Sequence, residues 1–289
     1  MAKILYGSEV VEAMSAQASK DILMLEENSI TPCLAILRIG NRPDDISYEK
    51  TATKRCEKLG IAVKHICLDS NVVTDEVLQN IEKLNSDDKV HGVLMFRPMP
   101  VHIDEQACCL ALDPSKDVDA ATPASMAGVF MNAPTGYKPC TAQACIEILN
   151  HFNIDIRGKK AVVIGRSLVV GKPVAMLLLA ENATVTICHT KTQDIESVVR
   201  EADIVIVASG QMESVGATYL REGQVVIDVG IAWNDEKQKL CGDVIFEEAQ
   251  DICAALTPVP GGVGTVTTSV LLSHVIESAK QMLEHTGAI

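Results

Sequence analysis

The chain lacks the long apolar run that a membrane span requires. No stretch of its 289 residues approaches the ~20 consecutive apolar residues of a membrane-crossing helix, and the first residues contain no apolar signal core. Basic residues are outnumbered, with 25 Lys and Arg against 38 Asp and Glu and a formal net charge of −13. We therefore expect a cytoplasmic protein with neither a membrane nor a nucleic acid as a general partner.

Paired cysteines are missing as well. The ten cysteines are scattered, and no two form a C-x-x-C pair, so we expect no metal site and no disulfide framework. Several of them, including Cys33, Cys67 and Cys188, lie in apolar, strand-like runs. These are predicted to be buried free thiols in a reducing compartment.

A glycine turn between two apolar runs is the most informative stretch. Residues 161–164 are apolar and β-branched, which is typical of a buried parallel strand. Gly165 ends this run, and Gly171 and Pro173 open a second one at 174–180, which predicts a helix. A strand, a turn and a helix N-terminus together predict an anion site for a dinucleotide pyrophosphate. Because the G-x5-G spacing is not the usual G-x-G-x-x-G, a turn without a ligand is the alternative.

Three further strands are predicted at 184–188, 202–210 and 223–230. Strands that alternate with helical stretches predict a Rossmann-like, doubly wound parallel sheet in the C-terminal part of the chain. Gly210 and Gly230 follow strand ends, at the edge where such sheets bind ligands.

The charges near the glycine turn bear on the choice of cofactor. NAD-binding domains usually carry an acidic residue about 20 residues after the glycines. Here residues 189–191 read His-Thr-Lys, and Arg166 lies in the turn itself. A pocket with a cation and no acid would accept a 2′-phosphate, so we favour NADP over NAD. The alternative is that Arg166 and Lys191 are solvated turn residues.

The N-terminal part also alternates between strands and helices, but it contains no glycine-rich phosphate turn, which indicates a substrate domain. Its predicted helices cover 8–28, 44–59 and 74–85, and its predicted strands cover 33–39, 61–68 and 90–96. A polar, proline-bounded loop at 114–123 marks the junction, and a final helix at about 266–284 is expected to return to the first domain. We therefore predict one domain from 1–120 plus 266–289 and a second from 121–265.

Seven motifs along the chain carry a resemblance to a known family. They lie at 116–119, 139–141, 165–173, 184–189, 227–231, 242–244 and 257–264. In this order they resemble the bifunctional methylenetetrahydrofolate dehydrogenase/cyclohydrolase (FolD) family over essentially the whole chain. The resemblance implies an α/β protein of two domains, usually a homodimer, with a cleft for tetrahydrofolate derivatives between the domains.

The resemblance also implies roles for individual residues. Tyr48 matches the tyrosine that packs on the folate and Asp119 the aspartate that holds the pterin, so both are catalytic candidates; a helix-surface tyrosine and a loop cap are the alternatives. Further substrate contacts are expected from Pro260, Gly261 and Gly262. The expected cofactor contacts are Gly165, Arg166, Ser167, Gly171, Thr190, Gly210 and Ile231. Of these, Arg166 and Thr190 hold the positions that meet the 2′-phosphate in NADP-using relatives.

Several positions around the expected folate cleft depart from the family pattern, and two of them bear on the chemistry. The family has a lysine four residues after the tyrosine, where this chain has Ala52, and a glutamine after the third strand, where it has Phe96. The nearby Lys50 and Lys54 lie about 200° round the helix from Tyr48 and Ala52 respectively, so neither shares the cleft face.

These departures predict which activity remains. Hydride transfer from the methylene bridge requires two oriented ligands, whereas hydrolysis of the methenyl cation requires general acid/base groups. We expect a dehydrogenase whose cyclohydrolase activity is lost or weak. Three alternatives stay open: a fully bifunctional enzyme that uses Lys50 or Lys54, a different pterin selected by Phe96 and Arg97, and a non-catalytic folate- or nucleotide-binding regulator.

Overall fold

The computed structural model describes residues 1–285. Its strands are β1 (Lys3–Ile4), β2 (Cys33–Ile39), β3 (Ala62–Leu68), β4 (Gly92–Met95), β5 (Lys160–Ile164), β6 (Thr184–Cys188), β7 (Ile204–Val207), β8 (Val225–Asp228), β9 (Ala232–Asn234), β10 (Lys239–Cys241) and β11 (Ala255–Leu256). Its α-helices are α1 (Gly7–Glu27), α2 (Pro43–Leu59), α3 (Thr74–Asn85), α4 (Glu105–Ala111), α5 (Pro123–Met131), α6 (Cys140–His151), α7 (Gly171–Ala180), α8 (Ile195–Arg200), α9 (Phe246–Ile252) and α10 (Val263–His285). A 3-10 turn covers Ala217–Tyr219.

The chain forms two compact units. The first consists of residues 1–13 and 139–270, and the second of residues 14–138 and the chain from 271 onward. These limits differ from the predicted domain boundaries at 120 and 266. Residues 1–13 lie in the first unit because β1 pairs in parallel with β11, a tertiary contact that no local pattern in so short a segment announces.

The first unit is built on a parallel sheet of six strands in the order β1-β11-β8-β7-β5-β6. Its strands are apolar and β-branched because both faces are covered, and in β7 every residue is buried. From β5 the chain passes first to β6 on one side and then to β7 on the other. The order therefore reverses beside β5, which makes the carboxyl end of β5 the expected ligand edge. The predicted parallel α/β sheet is confirmed.

The second unit contains a parallel sheet of three strands in the order β3-β2-β4. The central strand β2 is buried from Leu34 onward, whereas the edge strand β3 is mostly accessible. The prediction that Cys67 is buried was therefore wrong: it lies on this edge strand and is exposed, and Cys33 is half-buried. Cys188 is buried, as predicted.

The long periodic helices agree with prediction to within a few residues, and the short elements were missed. Helix α2 begins with Pro43 and ends at Leu59, and the φ of 80° at the following Gly60 suits glycine in a left-handed C-cap. Helices α4, α5, α8 and α9 and the β9–β10 hairpin were not predicted, because each is too short to show a period. No helix within the described part of the chain is long and apolar enough to cross a membrane.

A buried lysine fixes the position of the loop that follows α4. Lys116 is only 3% exposed, and its ammonium donates to the carbonyls of Leu84, Asn85 and Asp87 at 2.9, 2.7 and 2.9 Å. A cation at the end of α3 also complements the negative end of the helix dipole. The loop at 116–119 is thereby tied to the end of α3.

We expect Lys116→Met to destabilise the protein by about 3 kcal/mol, because it leaves buried carbonyls without their donor. Urea denaturation measures the change. Lys64→Met is the matched control: Lys64 also bonds near the end of α3, to Asp87 at 2.7 Å, but it is 46% exposed and should lose less than ~1 kcal/mol. Equal losses in the two variants would contradict a structural role for Lys116.

Candidate functional site

A cavity of about 350 Å³ opens at the carboxyl ends of three adjacent strands of the first unit. Residues that follow β5, β6 and β7 line it, so it lies at the edge where the strand order reverses. The residues that line it are Ile164, Gly165, Arg166, Ser167, His189, Thr190, Thr192, Ile195, Ala208, Ser209, Gln211, Ser214, Val215 and Tyr219. The predicted ligand edge and this cavity are thus in the same place.

The glycine turn after β5 depends on close backbone contacts. Gly165 has a φ of 125°, and a Cβ at this position would collide with the carbonyl oxygen of Ala208. A Cβ on Gly171 would meet the backbone of Gly165 and the amide of Arg166. The Ser167 hydroxyl accepts the backbone N–H groups of Val170 and Gly171 at 3.1 and 3.3 Å. The turn is therefore compact and opens directly into the start of α7.

The predicted cofactor residues divide into two groups. Gly165, Arg166, Ser167 and Thr190 line the cavity, whereas Gly171, Gly210 and Ile231 are not among the lining residues. Gly171 begins α7, Gly210 follows β7, and Ile231 is 61% exposed on the segment after β8. Their contacts with a cofactor stay a prediction.

The lining of the cavity suits an anionic nucleotide. Among the described residues that line it, none carries a carboxyl side chain, while Arg166 brings a guanidinium and Ser167 and Thr190 bring hydroxyls. Apolar surface comes from residues that include Ile195, Val215 and Tyr219. A phosphate bound by Arg166 and a flat ring packed on apolar side chains would match this composition.

Sequence reasoning missed the wall of the cavity that follows β7. Ser209, Gln211 and Ser214 line it, and so does Tyr219 of the 3-10 turn. The available signal was position alone, since residues just after a parallel strand lie at the ligand edge.

Two buried carboxyl groups hold the loops around this edge. Asp228 at the end of β8 accepts the backbone N–H groups of Gly230, Asp243 and Val244, each at 3.0 Å. Asp243 accepts the Ser209 hydroxyl at 2.9 Å and the Gly210 N–H at 2.8 Å. Each carboxyl group lies directly over a glycine, Asp228 over Gly242 and Asp243 over Gly230. Any side chain at these glycines would displace a carboxyl group.

Burial raises the pKa of Asp228 to about 7, and the nearby Asp243 adds to the rise, while the three backbone N–H donors oppose it. The backbone of Asp228 also bonds Thr257, whose hydroxyl accepts the Asp228 N–H at 2.8 Å. Asp228 therefore links the end of β8 to the loop that carries Pro260, Gly261 and Gly262. That loop contacts the start of α1, where the Gly7 N–H donates to the Gly261 carbonyl at 2.8 Å.

In the second unit, Tyr48 lies on α2 and faces an apolar neighbour. The rings of Tyr48 and Phe96 meet edge to face, with centroids 5.8 Å apart and planes at 86°. Ala52, one turn further along α2, is fully buried. Of the two departures from the family pattern, Ala52 is therefore in the interior, and Phe96 is partly buried and in contact with Tyr48.

The cations of α2 are placed differently from each other. Lys50 and Lys54 are exposed, whereas Arg55 is half-buried. Arg55 lies seven residues after Tyr48 and so shares its helix face. Burial lowers the pKa of Arg55, and the interaction with Tyr48 acts in the opposite direction. Sequence reasoning missed Arg55, although its i+7 spacing was a usable signal.

On another face of α2 a buried ion pair ties the helix to the sheet. Glu49 accepts Arg38 Nε at 2.7 Å, and its other oxygen lies 2.6 Å from His65 Nδ1. Burial alone would raise the pKa of Glu49, but the hydrogen bonds from Arg38 and His65 outweigh it and lower the pKa. These bonds fix the rotation of α2 and hence the direction in which Tyr48 points.

Asp119 is half-buried, and the loop that carries it is held from both sides. The buried Asp117 accepts the Ala121 and Thr122 N–H groups at 2.7 Å and the Ser125 hydroxyl at 2.6 Å. The Val118 carbonyl accepts His274 Nδ1–H from α10 at 2.8 Å. Burial lowers the pKa of His274 to about 4, so this ring is neutral near pH 7.

Arg97 does not stand apart as a free cation. It interacts with the thiol of Cys109 on α4 and lowers its pKa, against the rise caused by burial. Within residues 1–285 there is no group of three His, Cys, Asp or Glu side chains that could hold a metal ion.

Comparison with known proteins identifies the family. Residues 5–119 match the model of the tetrahydrofolate dehydrogenase/cyclohydrolase catalytic domain, and residues 139–283 match that of the NAD(P)-binding domain. The chain belongs to the tetrahydrofolate dehydrogenase/cyclohydrolase family. The glycine turn and the cavity lie in its NAD(P)-binding domain, and Tyr48 and Asp119 lie in its catalytic domain.

Individual relatives of this family resemble the chain over nearly its whole length. The bifunctional protein FolD of Clostridium botulinum strain Langeland is 45% identical over 281 residues, which cover 97% of this chain and 99% of the relative. The crystal structure of the bifunctional FolD enzyme of Campylobacter jejuni superposes with a TM-score of 0.94 at 36% identity, covering 97% and 99% of the two chains. The Trypanosoma brucei FolD structure, complexed with NADP cofactor and inhibitor, has a TM-score of 0.90 at 33% identity and covers 97% and 98%.

The raised pKa of Asp228 predicts a pH-dependent stability. Its folded pKa of about 7 exceeds the ordinary value of 3.8, so between these values the folded protein keeps a proton that the unfolded chain has released. Stability should therefore fall as pH rises from about 4 to 7, by at most ~1.4 kcal/mol per pH unit from this group.

Asp228→Asn should remove that slope in urea denaturation at pH 5, 6 and 7. The exposed Asp251→Asn is the control and should retain the dependence of the parent protein. An unchanged slope in Asp228→Asn would show that Asp228 is ionised throughout this range.

Proposed function

We propose that this chain oxidises 5,10-methylenetetrahydrofolate to 5,10-methenyltetrahydrofolate with NADP, and that it has lost most or all of the family's cyclohydrolase activity. The observation that carries the second half is the apolar contact beside Tyr48: Phe96 packs on its ring and Ala52 is fully buried. Relatives are named for both activities, so the two halves need separate support.

The cofactor half rests on the cavity after β5. Arg166 and Thr190 lie in its lining with no carboxyl side chain among the described lining residues, and this composition favours a 2′-phosphate. The Trypanosoma brucei relative is complexed with NADP, which supports the same choice. Bound NADP would supply the hydride acceptor. The residues of the chain then have to orient the folate and exclude water, which Tyr48 and Asp119 on their fixed elements can do.

The cyclohydrolase half rests on Ala52 and Phe96, which stand where the family pattern has a lysine and a glutamine. Hydrolysis of a methenyl cation requires a group that activates water and passes protons on. Alanine and phenylalanine cannot, and the exposed Lys50 and Lys54 lie off this helix face. Arg55 shares the face, but a guanidinium stays protonated in proteins and cannot act as a base. We further propose that the chain works as a cytoplasmic homodimer, as the resemblance implies.

A fully bifunctional enzyme is the second candidate. The observation in its favour is that a 45% identical relative, which matches nearly the whole chain, is named a bifunctional protein. It requires another group to replace the lysine, and Arg55 could only stabilise charge. Measuring both reactions on one preparation distinguishes the two candidates.

We expect NADP-dependent oxidation of methylenetetrahydrofolate, together with decay of methenyltetrahydrofolate at the rate of the buffer blank. The physical reason is the loss of general acid/base catalysis, which typically contributes ~10²–10⁴-fold. Absorbance of NADPH and of the methenyl product reports the two steps. Methenyl decay well above the blank would contradict the monofunctional proposal, and no reduction of NADP would contradict the dehydrogenase.

The double variant Ala52→Lys with Phe96→Gln should raise methenyl hydrolysis above the blank while dehydrogenase activity remains. The matched control is the single variant Ala52→Lys, which keeps Phe96. It should gain less hydrolysis activity than the double variant, because the lysine lacks an amide to orient it. If hydrolysis is already fast in the parent chain, Lys50→Ala, Lys54→Ala and Arg55→Ala identify the responsible group.

Arg166→Ala should weaken the binding of NADP far more than that of NAD. The Kd for NADP should rise by about 10- to 100-fold, because a charge-assisted hydrogen bond to the 2′-phosphate is lost. Titration calorimetry with each dinucleotide measures this. Lys191→Ala is the control, since Lys191 is exposed and is not among the lining residues. Equal losses for NADP and NAD would overturn the assignment of Arg166.

A further inference from the structure

The hydroxyl groups after β7 form a chain that ends on a buried carboxyl group. The Ser209 hydroxyl lies 2.9 Å from Asp243 Oδ2 and 3.2 Å from the Ser214 hydroxyl. It also accepts the Gln211 N–H at 3.1 Å. Ser209 and Ser214 both line the 350 Å³ cavity, whereas Asp243 is 2% exposed and lies behind them.

The available donors and acceptors determine which group donates in each of these hydrogen bonds. A carboxyl oxygen that already accepts the Gly210 N–H at 2.8 Å is the strongest acceptor within reach of Ser209. The Gln211 carbonyl, at 3.4 Å, is a weaker acceptor for the same proton. Once Ser209 donates to Asp243 and accepts from Gln211, its remaining lone pair accepts the proton of Ser214. Ser214 therefore keeps its own oxygen lone pairs for a ligand.

This direction gives the cavity two chemically different sides. Arg166 and Thr190 form a side that attracts phosphate. The Ser214 side presents an acceptor and should repel phosphate, but it should take an N–H or O–H donor. In the same cavity, Ile195, Val215 and Tyr219 provide apolar surface for a flat ring. Adenine combines a flat ring with an exocyclic amino group that donates two hydrogens.

We propose that Asp243 is a positioning residue that acts through Ser209 and Ser214 to make this side an acceptor for the adenine amino group of the cofactor. The 2′-phosphate, on the adenosine half of NADP, then lies at Arg166. The inference rests on the proposed use of NADP and adds to it a basis for recognising the nucleobase.

The test compares the affinity of NADP with that of nicotinamide hypoxanthine dinucleotide phosphate, in which a carbonyl oxygen replaces the amino group. Titration calorimetry on the parent chain should show NADP binding about tenfold more tightly, because the analogue sets one acceptor against another. Ser214→Ala should bring the two affinities together. Thr218→Ala, in the same segment but exposed and not among the lining residues, should retain the preference.

Asp243→Asn tests the positioning role itself. The amide of asparagine can donate a hydrogen bond to Ser209 and so reverse the direction of the hydrogen bonds between Ser209 and Ser214. Ser214 would then donate into the cavity, and the preference for NADP would vanish or invert. A change in folding alone would weaken the binding of both dinucleotides and leave the ratio of their Kd values unchanged. Equal affinities in the parent chain, or a preference that survives Ser214→Ala, would overturn this inference while leaving the dehydrogenase proposal intact. Binding of neither dinucleotide by the parent chain would overturn both.

Discussion

The hydrogen bonds of two buried carboxyl groups hold together the ligand edge of the parallel sheet. Asp228 fixes the segments after β8 and β10 and the loop after β11, and Asp243 fixes the segment after β7. Carboxyl groups this deeply buried are costly unless they are hydrogen-bonded, and here each accepts at least two hydrogen bonds. The close fit over Gly230 and Gly242 leaves no room for a side chain. Four loops that are far apart in the sequence thus keep one relative position.

Hydrogen bonds from buried polar groups also hold the catalytic domain together. Lys116, Asp117 and His274 hold the loop around Asp119 through bonds to backbone groups. The Glu49–Arg38 pair holds α2 and so directs Tyr48. Phe96 packs against Tyr48, and the buried Ala52 lies one turn further along α2. We propose that a frame held in this way, without the family's lysine and glutamine near Tyr48, favours a reaction that needs orientation alone.

The glycine turn shows why a sequence pattern could predict a site without describing it. The run at 161–164 and the helix at 174–180 were recognisable from local periodicity, and the turn between them had to lie at the sheet edge. The collision that forces glycine at 165, however, involves the carbonyl of Ala208, which follows a different strand. That contact depends on β5 pairing with β7, which no local pattern encodes.

By itself the sequence determined the parallel α/β class, the long helices and strands, the family resemblance and the two departures at Ala52 and Phe96. These follow from short-range periodicity and from motifs that are contiguous in the chain. Only the tertiary structure decided that β1 joins the first unit, that Arg55 is half-buried beside Tyr48, and that Asp243 reaches Ser209 across 34 residues. The physical reason is that strand order sets which loops meet, and side-chain burial then sets which polar groups must find partners there.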